Sequence, residues 1–210
     1  MDSLAGIKEE ILHVCRRIYA REMVASNDGN VSARLGSDRV VCTPNGMSKG
    51  FLEADDLAVL DLSGNPAGDN RRTPTSETPM HLGIYRMRPD ISAIVHAHPI
   101  TATAYAVAGR TVDHRALPES FLTLGSVPLV PYGAPSTEEL PEQIGKFIRD
   151  HNVFLLANHG ALALGGTVLE AYHRIECLEH TAKILFHAEA LGGVIKLTSG
   201  QRARLTEIFG

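Results

Sequence analysis

Apolar residues recur at helical spacing through Ile7, Ile11, Leu12, Cys15 and Ile18, with Lys8, Glu9, Arg16 and Arg17 off that face, so the pattern predicts a helix over Ile7–Met23. The dense turn Ser26-Asn27-Asp28-Gly29-Asn30 follows, and Val31–Leu35 then alternates as a strand does. Gly36-Ser37-Asp38 turns the chain into a hairpin partner over Arg39–Thr43, and Asp56–Asp61 reads as a further short strand. Beyond a Gly/Asn/Arg-rich loop, Met80, Ile84 and Met87 mark a helix over Ser76–Arg88, which Pro89 stops. The remaining pattern predicts a strand over Ile91–His98, a short helix over Ile100–Val107 and extended chain over Phe121–Val130. A helix over Thr137–Arg149, capped by Ser136 or Thr137, comes next. Strands over Val153–Ala157 and Ala161–Leu164 flank a turn at Asn158-His159-Gly160, and Val168–Leu191 is a long helix. Hairpins interspersed with helices, and no repeat or linker, indicate one α/β domain spanning residues 1–210, with a central sheet and helices on its faces.

Composition removes several function classes. Twenty Lys+Arg against 24 Asp+Glu, net −4 over 210 residues, leaves no basic footprint for nucleic acid. No apolar run approaches the ~18 residues of a membrane span, and the N-terminus lacks a signal-peptide pattern. The three cysteines are scattered, without a CxxC, so neither a disulfide framework nor a cysteine zinc site is expected. The expectation is a reduced, cytoplasmic protein. Ten histidines stand out.

His96 and His98 are two apart at the end of an apolar strand, so both imidazoles should face one way and could share a metal ion; two half-buried structural histidines would read the same. His159, in the turn between two apolar strands, and Glu77, near a helix N-terminus, would complete a three-histidine, one-carboxylate set for a borderline divalent ion. Glu77 and His81, four apart, could also pair on a metal, but His81 reads as a packed or hydrogen-bonded helix residue. His173, His180 and His187 recur every seven residues, about 10.5 Å apart along a helix, too far to share one ion. They form a surface stripe or a subunit contact.

Three turns, Asp28-Gly29-Asn30, Thr43-Pro44-Asn45-Gly46 and Pro74-Thr75-Ser76-Glu77, offer backbone N–H groups, amides and hydroxyls suited to an anion, although each also reads as an ordinary turn or cap. Neither a nucleotide-binding glycine motif, nor a G-x-S-x-G elbow, nor an HExxH helix is present.

In their order and spacing, Gly29-Asn30-Val31-Ser32, Thr43-Pro44-Asn45-Gly46, Thr75-Ser76-Glu77, His96-Ala97-His98 and Asn158-His159-Gly160 resemble the class II aldolase/adducin family, from about Ile7 to Leu191. The resemblance implies α/β/α layers around a mostly antiparallel sheet, and a homotetramer with active sites at subunit interfaces. It implies His96, His98 and His159 as metal ligands, with Glu77 as a fourth ligand that serves as acid/base once substrate displaces it. Gly29, Asn30, Asn45, Gly46, Thr75 and Ser76 would cradle the phosphate of a small sugar phosphate; Asn45 stands where the family usually has Ser or Thr. Zn²⁺ is the implied ion, with Mn²⁺, Co²⁺ or Fe²⁺ possible. The implied reaction is cleavage of a ketose 1-phosphate, fuculose-like or a 5-deoxy or 5-modified ribulose 1-phosphate, to dihydroxyacetone phosphate and an aldehyde through a metal-stabilised enediolate. The fuculose-phosphate aldolases use a tyrosine after the HxH segment, and here Glu119 is the only ionisable residue between Arg115 and Tyr132. Glu119 is thus a candidate second acid/base, acting in a neighbouring subunit, or an exposed loop residue. Dehydration or 4-epimerisation on the same site, and a non-enzymatic adducin-like module, are the alternatives.

Overall fold

The computed structural model describes residues 3–209. Helix α1 (Leu4–Ala20) begins at Leu4 rather than Ile7 because Ser3 caps it, its Oγ accepting from the Gly6 N–H at 3.1 Å. Strands β1 (Asn30–Leu35), β2 (Arg39–Cys42) and β3 (Ala58–Asp61) form an antiparallel meander. Helix α2 (Thr78–Met87) leads to β4 (Ala93–Ala97) and α3 (Ile100–Val107). Helix α4 (Pro118–Leu124), the short β5 (Leu129–Val130) and α5 (Glu139–Gly145) precede the hairpin β6 (Val153–Leu156) and β7 (Gly160–Gly165). Helices α6 (Val168–Ala190) and α7 (Ser199–Phe209) complete the described chain. The strands make one sheet in the order β3-β2-β1-β4-β7-β6-β5, antiparallel at every pairing except β5–β6.

Strand alternation divides the core into two layers. Val31, Ala33 and Leu35 of β1 and Ala93, Val95 and Ala97 of β4 pack under α1, α3 and α6. Ile94 of β4, Phe154 and Leu156 of β6, and Leu162 and Leu164 of β7 point the other way, onto α2 and α5. The layering is α/β/α around a mostly antiparallel sheet. Cys15, Cys42 and Cys177 are unpaired, and burial pushes the Cys15 and Cys42 thiols up to about 12. No described helix is long and apolar enough to cross a membrane.

Three segments differ from the sequence reading. Residues 121–130, expected to be extended, contribute instead to α4 and then β5. Pro118 stands in the first turn of α4, where its missing N–H costs nothing, and Ser120 Oγ reaches the His114 and Leu117 carbonyls. Gly125, at φ +60°, ends the helix. The helix expected over 137–149 keeps regular α geometry only in Glu139–Gly145, after Ser136 at φ +65°, and continues as turns. Helix α7 was not expected at all, because it has no apolar stripe and none of its residues is buried.

Candidate functional site

His96 sits on β4 directly opposite Asn30 on β1, and its side chain is fully buried on the α2 side of the sheet. His98 lies just past the end of β4. His159 comes from the loop Ala157-Asn158-His159 that joins β6 to β7, and Asn158 makes this turn in the left-handed region at φ +56°. Because β7 pairs with β4, with Ala97 opposite Ala161, the loop is delivered to the end of β4 that carries the other two histidines. The three ring centroids are 4.7 to 5.1 Å apart, and one nitrogen from each ring lies within 4.8 Å of the others. The Nε2 atoms of His96 and His98 are 3.1 Å apart.

Glu77 is the residue before α2, and Thr75 Oγ1 accepts its backbone N–H at 3.3 Å. Its Oε2 is 3.2 Å from His96 Nε2 and its Oε1 is 3.6 Å from His159 Nε2. Asn30 Nδ2 donates to Oε2 at 2.6 Å, whereas Oε1 is buried without a hydrogen-bond partner among the described residues, as is His159 Nδ1. His96 Nδ1 donates to the Ala161 carbonyl at 2.9 Å, which leaves the Nε2 lone pair facing the cluster. The Asp28 carboxylate stands 3.5 Å from His98 Nδ1. Burial, then the neighbouring His98 and His159, holds His96 well below the usual histidine range, and burial lowers His159 as well. Three converging ring nitrogens, beside a carboxylate oxygen that lacks a hydrogen-bond partner among the described residues, form a donor set that fits a divalent metal ion.

Gly29, Asn30, Asn45, Gly46, Thr75 and Ser76 line one pocket of about 200 Å³ with Glu77, His98 and His159. The loops that build its wall are cross-tied: Asn45 N–H donates to Thr73 O, Thr75 N–H to Thr43 O, and Thr43 Oγ1 accepts from Val31 N–H. The Asn30 amide is engaged at both ends, by Glu77 and by His81. Lys49 is a wall residue that the sequence reading missed. Its Nζ donates to the Asn27 and Met47 carbonyls at 2.8 and 2.7 Å, it is 1% exposed, and burial lowers its pKa. Nothing local marks Lys49, since lysines are normally solvated. Asp28 and Ser136 also line the pocket.

Other candidates lie elsewhere. Glu119, in the first turn of α4 and beside Cys177 of α6, does not line this chain's pocket. His81 is buried and hydrogen-bonded inside the protein, while His173, His180 and His187 are exposed along α6.

Relatives share this framework. The chain is 37% identical over 177 residues to the L-fuculose phosphate aldolase of Methanocaldococcus jannaschii, covering 84% of this chain and 94% of that one. It is 34% identical over 183 residues to the 3-oxo-tetronate 4-phosphate decarboxylase of Haemophilus influenzae, covering 85% and 86%. Among solved structures, an L-fuculose 1-phosphate aldolase superposes with a TM-score of 0.89 at 29% identity, covering 100% of this chain and 98% of the other. YgbL of Klebsiella pneumoniae, described as a candidate aldolase/epimerase/decarboxylase, superposes at 0.88 with 28% identity, covering 98% and 100%. Residues 9–186, which span every ligand candidate and the whole sheet, match the Class II Aldolase and Adducin N-terminal domain, and the chain belongs to that family.

Proposed function

We propose that this protein is a divalent-metal-dependent lyase that cleaves a ketose 1-phosphate between C3 and C4, releasing dihydroxyacetone phosphate and an aldehyde. The observation that carries this reading is the unpartnered Glu77 Oε1 beside three converging histidine nitrogens, in the wall of a polar pocket. His96, His98, His159 and Glu77 would hold the ion, with Zn²⁺ first and Mn²⁺, Co²⁺ or Fe²⁺ compatible with the same donors. When bound, a divalent ion would polarise the C2 carbonyl of the ketose and stabilise the negative charge left on the C2–C3 unit when the C3–C4 bond breaks. Once substrate displaces it from the ion, Glu77 would hold or move the proton at the carbon left behind, a role that its Oε1, without a hydrogen-bond partner, supports. Gly29, Asn45, Gly46, Thr75 and Ser76, with Asn30 beside them, would anchor the phosphate through backbone N–H groups, hydroxyls and amides, and Lys49 adds a buried cation to that wall. Anchoring a remote phosphate supplies orientation to the reacting end.

Aldol cleavage also requires a base at the C4 hydroxyl. Glu119 would fill that role only from a second copy of the chain, in line with the homotetramer that the family resemblance implies. Decarboxylation is the second reading, favoured by the relatives named as 3-oxo-tetronate 4-phosphate decarboxylases. A 3-oxo acid phosphorylated at C4 that loses CO₂ leaves the same enediolate, which on protonation is again dihydroxyacetone phosphate. The departing carboxylate has no proton to surrender, so this reaction needs no base at that end.

The deciding assay supplies Zn²⁺-reconstituted protein with a panel of ketose 1-phosphates and with 3-oxo-tetronate 4-phosphate, measuring dihydroxyacetone phosphate, aldehyde and CO₂ separately. Equal amounts of aldehyde and dihydroxyacetone phosphate, lost in His96→Ala, support the aldolase. Dihydroxyacetone phosphate with CO₂ selects the decarboxylase. Substrate consumed without either points to dehydration or epimerisation, and absence of both turnover and metal binding leaves an interaction module.

A further inference from the structure

Four buried side chains run from the Glu77 carboxylate into the interior between β1 and α2, and the proposed reaction assigns no role to the three beyond Asn30. Asn30 Oδ1 lies 2.5 Å from His81 Nε2, His81 Nδ1 lies 2.6 Å from Ser32 Oγ, and Ser32 Oγ lies 2.9 Å from the Tyr85 hydroxyl. Asn30, Ser32, His81 and Tyr85 are each at most 3% exposed. Two periodicities meet here. Asn30 and Ser32 are two apart on the face of β1 that meets α2, and Glu77, His81 and Tyr85 recur every four residues along one stripe of α2 and its leading residue.

The proton arrangement follows from the end nearest the site. A carboxylate oxygen only accepts, so Asn30 turns its NH₂ to Glu77 and its carbonyl oxygen to His81. That oxygen needs a donor, so His81 carries its proton on Nε2 and offers a lone pair at Nδ1. Ser32 therefore donates to His81 and accepts from the Tyr85 hydroxyl. Every hydrogen bond runs in one sense, from Tyr85 through Ser32, His81 and Asn30 to Glu77 Oε2. Both His81 nitrogens are spent, which removes it as a metal ligand, and Oε2 is occupied while Oε1 is not.

We infer that Asn30, His81, Ser32 and Tyr85 form a positioning relay that engages Glu77 through Oε2, so that Oε1 is the carboxylate oxygen left without a hydrogen bond beside the three-histidine cluster. The inference rests on the metal-lyase reading insofar as Glu77 acts there. Its test compares two substitutions at the middle of the relay. His81→Gln keeps an N–H donor for Asn30 and cannot titrate, whereas His81→Met fills similar space with no donor. In the Zn²⁺-loaded protein, His81→Met should lower kcat and weaken Zn²⁺ in chelator competition by about 10- to 100-fold. KM should stay within about threefold, because phosphate anchoring is untouched. His81→Gln should remain near wild type in both measurements, and Tyr85→Phe, which removes one distant oxygen and keeps the ring, should follow His81→Met more weakly. Equal losses in His81→Met and His81→Gln overturn the relay. So does His81→Met, or Tyr85→Phe where His81→Met fails to fold, losing only thermal stability with kcat and Zn²⁺ affinity intact. Chelator competition needs no turnover, so a wild type inactive on every sugar phosphate refutes the reaction while the relay is still decided.

Discussion

Gly29 and Gly46 have nearly the same backbone conformation, φ +70° and +69°, and both line the pocket, so alanine at each separates conformational strain from crowding. A non-glycine residue in the left-handed region costs about 1–2 kcal/mol, and both variants carry that cost. At Gly46 an added Cβ meets nothing within 4 Å among the described residues. At Gly29 it would lie 2.6 Å from Val24 Cγ1 and 2.8 Å from the His96 carbonyl oxygen. The valine methyl can turn aside, but that carbonyl belongs to β4, which is paired to β1 on one side and β7 on the other. Overpacking of this kind adds about 1–3 kcal/mol. Gly46→Ala should therefore lose about 1–2 kcal/mol and Gly29→Ala about 2–5 kcal/mol. The strand that must yield in Gly29→Ala carries His96, so that variant alone should also lose Zn²⁺ affinity. Urea unfolding of the metal-stripped proteins at one protein concentration measures the first difference, read as a shift in midpoint with unchanged slope. Chelator competition measures the second. Equal stability losses, with Zn²⁺ affinity retained in both variants, would refute the reasoning.

Three further outcomes are expected. Burial holds His81 at about 4 against an ordinary 6.5, so between those values the unfolded chain binds a proton that the native protein does not. The stability tied to this group is complete above pH 6.5 and is lost as pH falls toward 4, by about 3 kcal/mol; His81→Gln should show a shallower fall of Tm over that window, and superimposable profiles would count against it. Glu119→Gln should cut aldol cleavage by about 10²- to 10⁴-fold if the residue serves as base in a neighbouring copy, and leave decarboxylation unchanged; an aldolase indifferent to the change would remove Glu119 from the mechanism. Lys49→Met strands the Asn27 and Met47 carbonyls, costing about 2–4 kcal/mol, and should raise KM for phosphorylated substrate more than it lowers kcat; an unchanged KM would reduce Lys49 to a structural tie.

Local rules reached far into this protein. Apolar side chains recurring at period 2 or 3.6 located β1, α1 and α2, because that recurrence writes an element's geometry into residue spacing. Pairing of His96 with His98 was readable for the same reason: a strand end sets their direction without help from the rest of the chain. Segments without an apolar stripe, α4 and α7, left no such trace.

What the sequence alone determined is therefore the inventory: an α/β chain, its apolar faces, its turn chemistry, and a set of histidines with a carboxylate in family order. The tertiary structure decided the company each residue keeps. Sheet order brings β7 beside β4 and with it His159 beside His96, although 63 positions separate them in the chain. The same packing buries Lys49 in the pocket wall, turns Asn30 from a free anion ligand into the link between Glu77 and His81, and leaves Glu119 outside its own chain's pocket. Spacing along a chain specifies which face a side chain takes within its own element. Which elements then face one another is settled only when the whole sheet and both of its helical layers bury their apolar surfaces together.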